Sequence, residues 1–78
     1  MTRYFAKSDA DNKVYILFKM QTEENHFGVF YWRVNDTKWQ SDSEASNRLI
    51  KYLLDGDVRV DEVPEESAKA LMPQAFAN

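Results

Sequence analysis

The sequence contains no cysteine, and among its 78 residues only two are glycine, two are proline and one is histidine. Without cysteine, the chain can form neither a disulfide framework nor a thiolate metal site. Two isolated glycines cannot form the glycine-rich loop that cradles phosphates. No apolar run is long enough for a signal peptide or a membrane-spanning helix, so we expect a cytoplasmic protein without membrane association.

Residues that could support catalysis or bind a metal are few and dispersed. His26 follows Glu23 and Glu24 in a polar segment, but no nucleophile or orienting third group stands at a suitable spacing. The acidic segment at residues 8–12 favours a turn, and it lacks the glycine and the distal glutamate of a calcium loop. We therefore expect no enzymatic activity, no metal and no cofactor.

Charge is distributed unevenly along the chain, whose formal net charge is −3. Residues 1–40 carry six basic and five acidic side chains, whereas residues 41–78 carry four basic and eight acidic ones. A half-chain with a net charge of −4 is too sparsely charged to mimic the phosphates of DNA. We interpret the acidic half as a solvated surface.

Hydrophobic patterning predicts a single α+β domain over residues 1–78, with the order βββαβα and one helix packed on a small antiparallel sheet. Three strands, at residues 3–7, 14–21 and 27–35, form a meander, and residues 39–40 suggest a brief return strand. A fourth strand is expected at residues 58–62. The pattern does not decide whether this strand lies beside the first or the third strand in the sheet.

Two helices are predicted. The first covers residues 43–55, with a capping box of Ser41 and Glu44, or Asp42 or Ser43 as the cap, and with Gly56 as a left-handed C-terminal cap. The second opens at Pro64 and ends at Pro73, leaving residues 73–78 as a tail that can fray unless Phe76 pins it. Its expected packing face consists of Ala68, Leu71 and Met72.

The segment "FGVFYW" at residues 27–32 does not alternate as a half-buried strand should. Both of its faces therefore need cover. A five-residue loop at residues 22–26 joins the second and third strands. We expect the even-numbered residues of both strands to lie on the face that the first helix covers with Leu49, Ile50, Leu53 and Leu54: Val14, Ile16, Phe18, Met20, Gly28, Phe30, Trp32 and Val34. The opposite face then carries Tyr4, Tyr15, Leu17, Lys19, Val29, Tyr31 and Arg33.

Tyrosine has a large apolar body with a polar tip, and it is favoured at protein interfaces. These seven residues are therefore the candidate partner-binding site of a small interaction module, adaptor-like or inhibitor-like, whose partner is another protein or a second copy in a homodimer. The alternative function is single-stranded nucleic-acid binding by the same aromatic and basic face. A third possibility is that the C-terminal helix and Phe76 cover this face, giving a three-layer monomer.

Overall fold

A computed structural model of the chain describes residues 1–24 and 26–77, without the side chain of His26, so the interpretation of that histidine lies outside the described residues. The elements are three strands, a helix, a strand, a second helix and a short 3₁₀ helix. In chain order they are β1 (Thr2–Ser8), β2 (Val14–Glu23), β3 (His26–Arg33), α1 (Ala45–Leu54), β4 (Val60–Val63), α2 (Glu65–Leu71) and the 3₁₀ helix (Pro73–Ala75). The predicted α+β class and the order βββαβα are confirmed.

The four strands form one antiparallel sheet with the order β3-β2-β1-β4. The neighbour of the fourth strand is therefore β1, where Tyr4 pairs with Val63 and Lys7 with Val60. The return strand predicted at residues 39–40 is a single bridge between Tyr31 and Gln40. None of the helices in the described ranges is long and apolar enough to cross a membrane.

The register between β2 and β3 overturns the predicted faces. β2 extends to Glu23 and pairs it with His26, so the connection is shorter than the assumed five-residue loop. Phe18 consequently lies opposite Tyr31, and even-numbered residues of β2 pair with odd-numbered residues of β3. A shift of one residue turns every side chain of a strand to the other face. The prediction that the two even-numbered sets share one face is therefore wrong.

A helical layer packs on each face of the sheet, so the fold has three layers. One hydrophobic cluster joins α1 to the sheet through buried side chains: Phe5, Phe18, Val29, Ala45 and Leu49. The other joins α2 and the 3₁₀ helix to the opposite face: Tyr4, Ala6, Leu17, Trp32, Ala68, Met72 and Ala75. This arrangement is the three-layer alternative stated above, and the non-alternating β3 sequence follows from having a layer on each side.

Several predicted helix boundaries need correction. Ser41 does not cap α1, because its hydroxyl donates a hydrogen bond to the carbonyl of Val29 (3.0 Å). The N-cap is Glu44, which makes no side-chain cap hydrogen bond, so Asp42 and Ser43 are not the cap either; an Asp42 carboxylate oxygen accepts a hydrogen bond from the Glu44 N–H (2.9 Å) just before the helix. Gly56 does not adopt the left-handed conformation; α1 ends as Asp55 turns to extended backbone. In α2, Leu71 is 44% exposed and so does not belong to the packing face predicted for it.

Candidate functional site

The seven candidate residues do not form one open surface. Tyr4 and Leu17 are buried on the face covered by α2, whereas Val29 and Tyr31 pack with Phe18 on the face covered by α1. The prediction of a shared tyrosine-rich face is wrong, because the register separates the β3 members from those of β1 and β2. Partner binding by the individual residues stays a prediction.

Tyr4 and Lys19 lie beneath the C-terminal layer. The Tyr4 ring packs 5.5 Å from the Phe76 ring, its hydroxyl donates to Glu65 (3.4 Å), and burial raises its pKa. The Lys19 ammonium lies 4.3 Å from the centre of the Trp39 ring, and burial lowers its pKa. Both side chains are held by contacts within the chain.

Trp39 holds the C-terminal layer to the sheet. Its indole N–H donates to the carbonyl of Ala75 (3.1 Å), and its ring meets Trp32 and Phe76 at centroid distances of 5.6 Å and 6.3 Å. These contacts occupy the surface that the sequence suggested for a partner.

Tyr31 and Arg33 lie on the other side of the sheet. The Tyr31 hydroxyl donates to Asp42 (3.1 Å), and the Arg33 guanidinium lies 5.6 Å from the centre of the Tyr31 ring. Arg33 also pairs with Asp36 (3.4 Å) and remains exposed. These residues therefore form a local cluster beside the start of α1.

Tyr15 belongs to a third location. The β1–β2 register shifts after Lys7, and Tyr15 accepts a hydrogen bond from the Lys7 ammonium. Lys7 is only 9% exposed, and its nitrogen also lies 4.9 Å from the centre of the Tyr52 ring on α1. No carboxylate in the described part of the chain pairs with this ammonium. Instead of an ion pair, the ammonium makes cation–π contacts with the rings of Tyr15 and Tyr52.

The open apolar surface is elsewhere, in a groove of about 370 Å³ between α1 and the sheet. Hereafter "the groove" means this depression, whose floor consists of Phe5, Met20 and Val29 and whose rim consists of Phe27, Ile50 and Leu53. The rim residues are about half exposed: 56%, 53% and 46% in that order. α1 therefore leaves part of the sheet face uncovered.

Ile50 and Leu53, which the helical spacing assigned to the face packed on the sheet, are instead about half exposed, and the groove was therefore not predicted. Apolar residues of α1 from Ala45 to Leu54 occupy about half of the helix circumference, at 3.6 residues per turn. Such an arc is wider than one sheet face can cover. Leu49 is buried, whereas Ile50, about 100° further round the helix, faces solvent. The width of the apolar arc was the available signal.

Charges at the edge of the groove neutralise each other. Arg3 donates two hydrogen bonds to Glu62, one from Nε to Oε2 (2.8 Å) and one from Nη2 to Oε1 (2.6 Å). These bonds lower the pKa of Glu62 and raise the pKa of Arg3. The groove is thus an apolar surface bordered by an Arg3–Glu62 pair whose charges neutralise each other.

No metal-ligand cluster within the described residues and no known relative indicates a function for this chain. Over residues 1–24 and 26–77 no group of three or more histidine, cysteine, aspartate or glutamate side chains is placed to hold a metal ion. The chain matches no protein-family model, no curated protein and no solved structure. Function must therefore be inferred from the geometry of the chain itself.

Proposed function

We propose that the protein is a small non-enzymatic interaction module that binds another protein surface through the groove. The observation that carries this proposal is the half-exposed rim of Phe27, Ile50 and Leu53 around an apolar floor. Exposed apolar side chains gathered around a concave floor are typical of interaction sites, whereas scattered ones are ordinary surface. A cytoplasmic location is part of the proposal, in keeping with the cysteine-free composition.

The exposed rim is large enough to drive binding. At about 150–200 Å² per full side chain, its exposed fractions amount to roughly 250–300 Å². Burial against an equal partner area removes roughly 500–600 Å² from water, a gross gain of about 12–15 kcal/mol. Micromolar affinity needs about 8 kcal/mol. The difference of about 4–7 kcal/mol lies within the estimated cost of association.

Nucleic-acid binding has less support. It required open aromatic side chains with nearby cations, and Tyr4 is buried while Lys19 is packed against Trp39. The formal net charge of −3 also disfavours a phosphate backbone. No contact or exposure in the described residues favours this alternative over a protein partner.

Site-specific photo-crosslinking in native cells tests the proposal. A photoreactive phenylalanine analogue replaces Ile50 at the groove in one variant and Leu71 on α2 in a matched control, since the two positions are similarly exposed (53% and 44%). We expect a nuclease-resistant protein adduct from position 50 only. Equal adducts from both positions, or none from position 50, would contradict the proposal. A nuclease-sensitive adduct would move the assignment to nucleic acid.

A further inference from the structure

We infer that the surface that fills the groove is a second copy of this chain, docked by the same face in a two-fold dimer. This inference rests on the proposed function, because it names the partner at the same groove. Three features support it: the area of the exposed surface, its charge, and the presence of projecting and receding parts on one face.

The area fits an interface between two copies. Met1 is 76% exposed and adjoins the rim, because its carbonyl accepts from the Thr22 N–H, and Thr22 pairs with Phe27. With Met1 added, the exposed area is on the order of 400 Å² at about 150–200 Å² per full side chain, and all of it is apolar except the backbone groups and the Met1 ammonium, which donates to the Thr22 carbonyl. A stable interface buries about 800 Å² per partner, roughly 56–65% of it apolar. One copy therefore offers nearly the apolar area that its half of a standard dimer needs.

The charge of the face permits contact with an identical face. A two-fold axis brings like residues near each other, so an unpaired charge at the groove would meet its own sign. Arg3 and Glu62 avoid this conflict because they neutralise each other within one copy. Asp9 and Asp57 line a separate depression beyond the other end of β1. Phe5, the groove residue on β1 nearest to that depression, is four residues from Asp9, roughly 13 Å along the strand, which exceeds the Debye length of about 8 Å at physiological salt.

The shape of the face is also suited to self-association. A two-fold contact requires that one patch carry both the projecting and the receding parts. Phe27 and Ile50 provide the exposed rim, and the floor between them provides the depression. Each copy can therefore place its rim side chains over the floor of the other.

Sedimentation equilibrium of the purified full chain tests the inference. We compare wild type with Ile50→Lys and with the control Leu71→Lys, after circular dichroism has shown that each variant is folded. At roughly 100 µM, wild type and Leu71→Lys should sediment at twice 9.2 kDa. Ile50→Lys should raise the dissociation constant roughly tenfold or more, because symmetry places the charge twice in an apolar interface.

Each outcome decides the question. A wild type that stays at 9.2 kDa up to roughly 1 mM overturns the dimer, since that concentration is far above the micromolar or lower dissociation constants of interfaces of standard size. A dimer that Ile50→Lys leaves intact overturns the groove as its surface. If wild type is monomeric but position 50 crosslinks a different protein in cells, only the dimer inference fails. If neither dimer nor adduct is found, the proposed function fails as well.

Discussion

Replacement of Met72 by alanine should remove a large part of the stability of this protein. Met72 is 1% exposed, and it packs between α2 and the sheet in the cluster that contains Tyr4 and Leu17. Truncation of a buried methionine to alanine costs about 2–5 kcal/mol. A chain of 78 residues has a total stability of about 4–12 kcal/mol. A loss of about 3 kcal/mol should lower the melting temperature by about 12–24 °C.

Urea denaturation followed by tryptophan fluorescence measures this loss, because Trp32 and Trp39 both lie in the affected cluster. The matched control is Leu71→Ala, one residue earlier in the chain and 44% exposed, for which we expect a loss of about 1 kcal/mol or less. Equal and small losses for the two variants would refute the packing of α2 on the sheet. A difference of about 2 kcal/mol between them is the expected result.

Three further predictions concern single contacts. Glu62→Gln should reduce stability at neutral pH, and this reduction should shrink as the pH falls below 4.5. Pairing with Arg3 lowers the folded-state pKa of Glu62 below its ordinary value of 4.5, so the stabilisation is present above that value and is lost as the pH falls through the folded-state pKa. A pH-independent difference in urea midpoint would contradict the pairing. Lys7→Met should leave the free energy of unfolding within about 1 kcal/mol of wild type or raise it, because the change removes a buried charge that has no carboxylate partner among the described residues. A loss above about 2 kcal/mol in thermal denaturation would mean that the cation–π contacts of Lys7 contribute more than the burial of its charge costs. Trp39→Phe should cost about 1–3 kcal/mol in chemical denaturation, because it leaves the carbonyl of Ala75 without its donor; an unchanged midpoint would exclude that role.

Local patterns were sufficient to predict the elements of the fold. Alternating and helical spacings located the strands and both helices, and the boundaries differ from the prediction by a few residues. The non-alternating segment at residues 27–32 correctly indicated that both faces of β3 need cover. These features depend on neighbouring residues, which the sequence displays directly.

The faces of the sheet could not be predicted in the same way. They depend on whether Glu23 pairs with His26, and a change of one residue in that connection exchanges Tyr31 with Trp32 between the two layers. The turn residues favour several loop lengths about equally. The sequence therefore showed which residues of a single strand share a face, but not which face of one strand lies beside which face of its neighbour.

The groove also could not be predicted, because it depends on how far the sheet extends beneath α1. Spacing shows that Leu49, Ile50 and Leu53 lie along one broad side of α1, but not where the sheet beneath that side ends. Only the packed structure separates buried Leu49 from exposed Ile50. The extent of a layer is a property of the assembled fold.

A second copy that closes the groove should protect the groove wall from solvent, and thiol labelling at two matched serines tests this. The chain has no cysteine, so Ser46→Cys on the groove wall and Ser67→Cys on α2 each introduce a single thiol at a half-buried helical position. In dilute solution both thiols should react with a maleimide at comparable rates. At roughly 100 µM only the thiol at position 46 should become protected, as interfaces of standard size bind at micromolar or tighter affinity. Reaction at position 46 that does not depend on concentration, or equal protection at both positions, would contradict closure of the groove by a second copy.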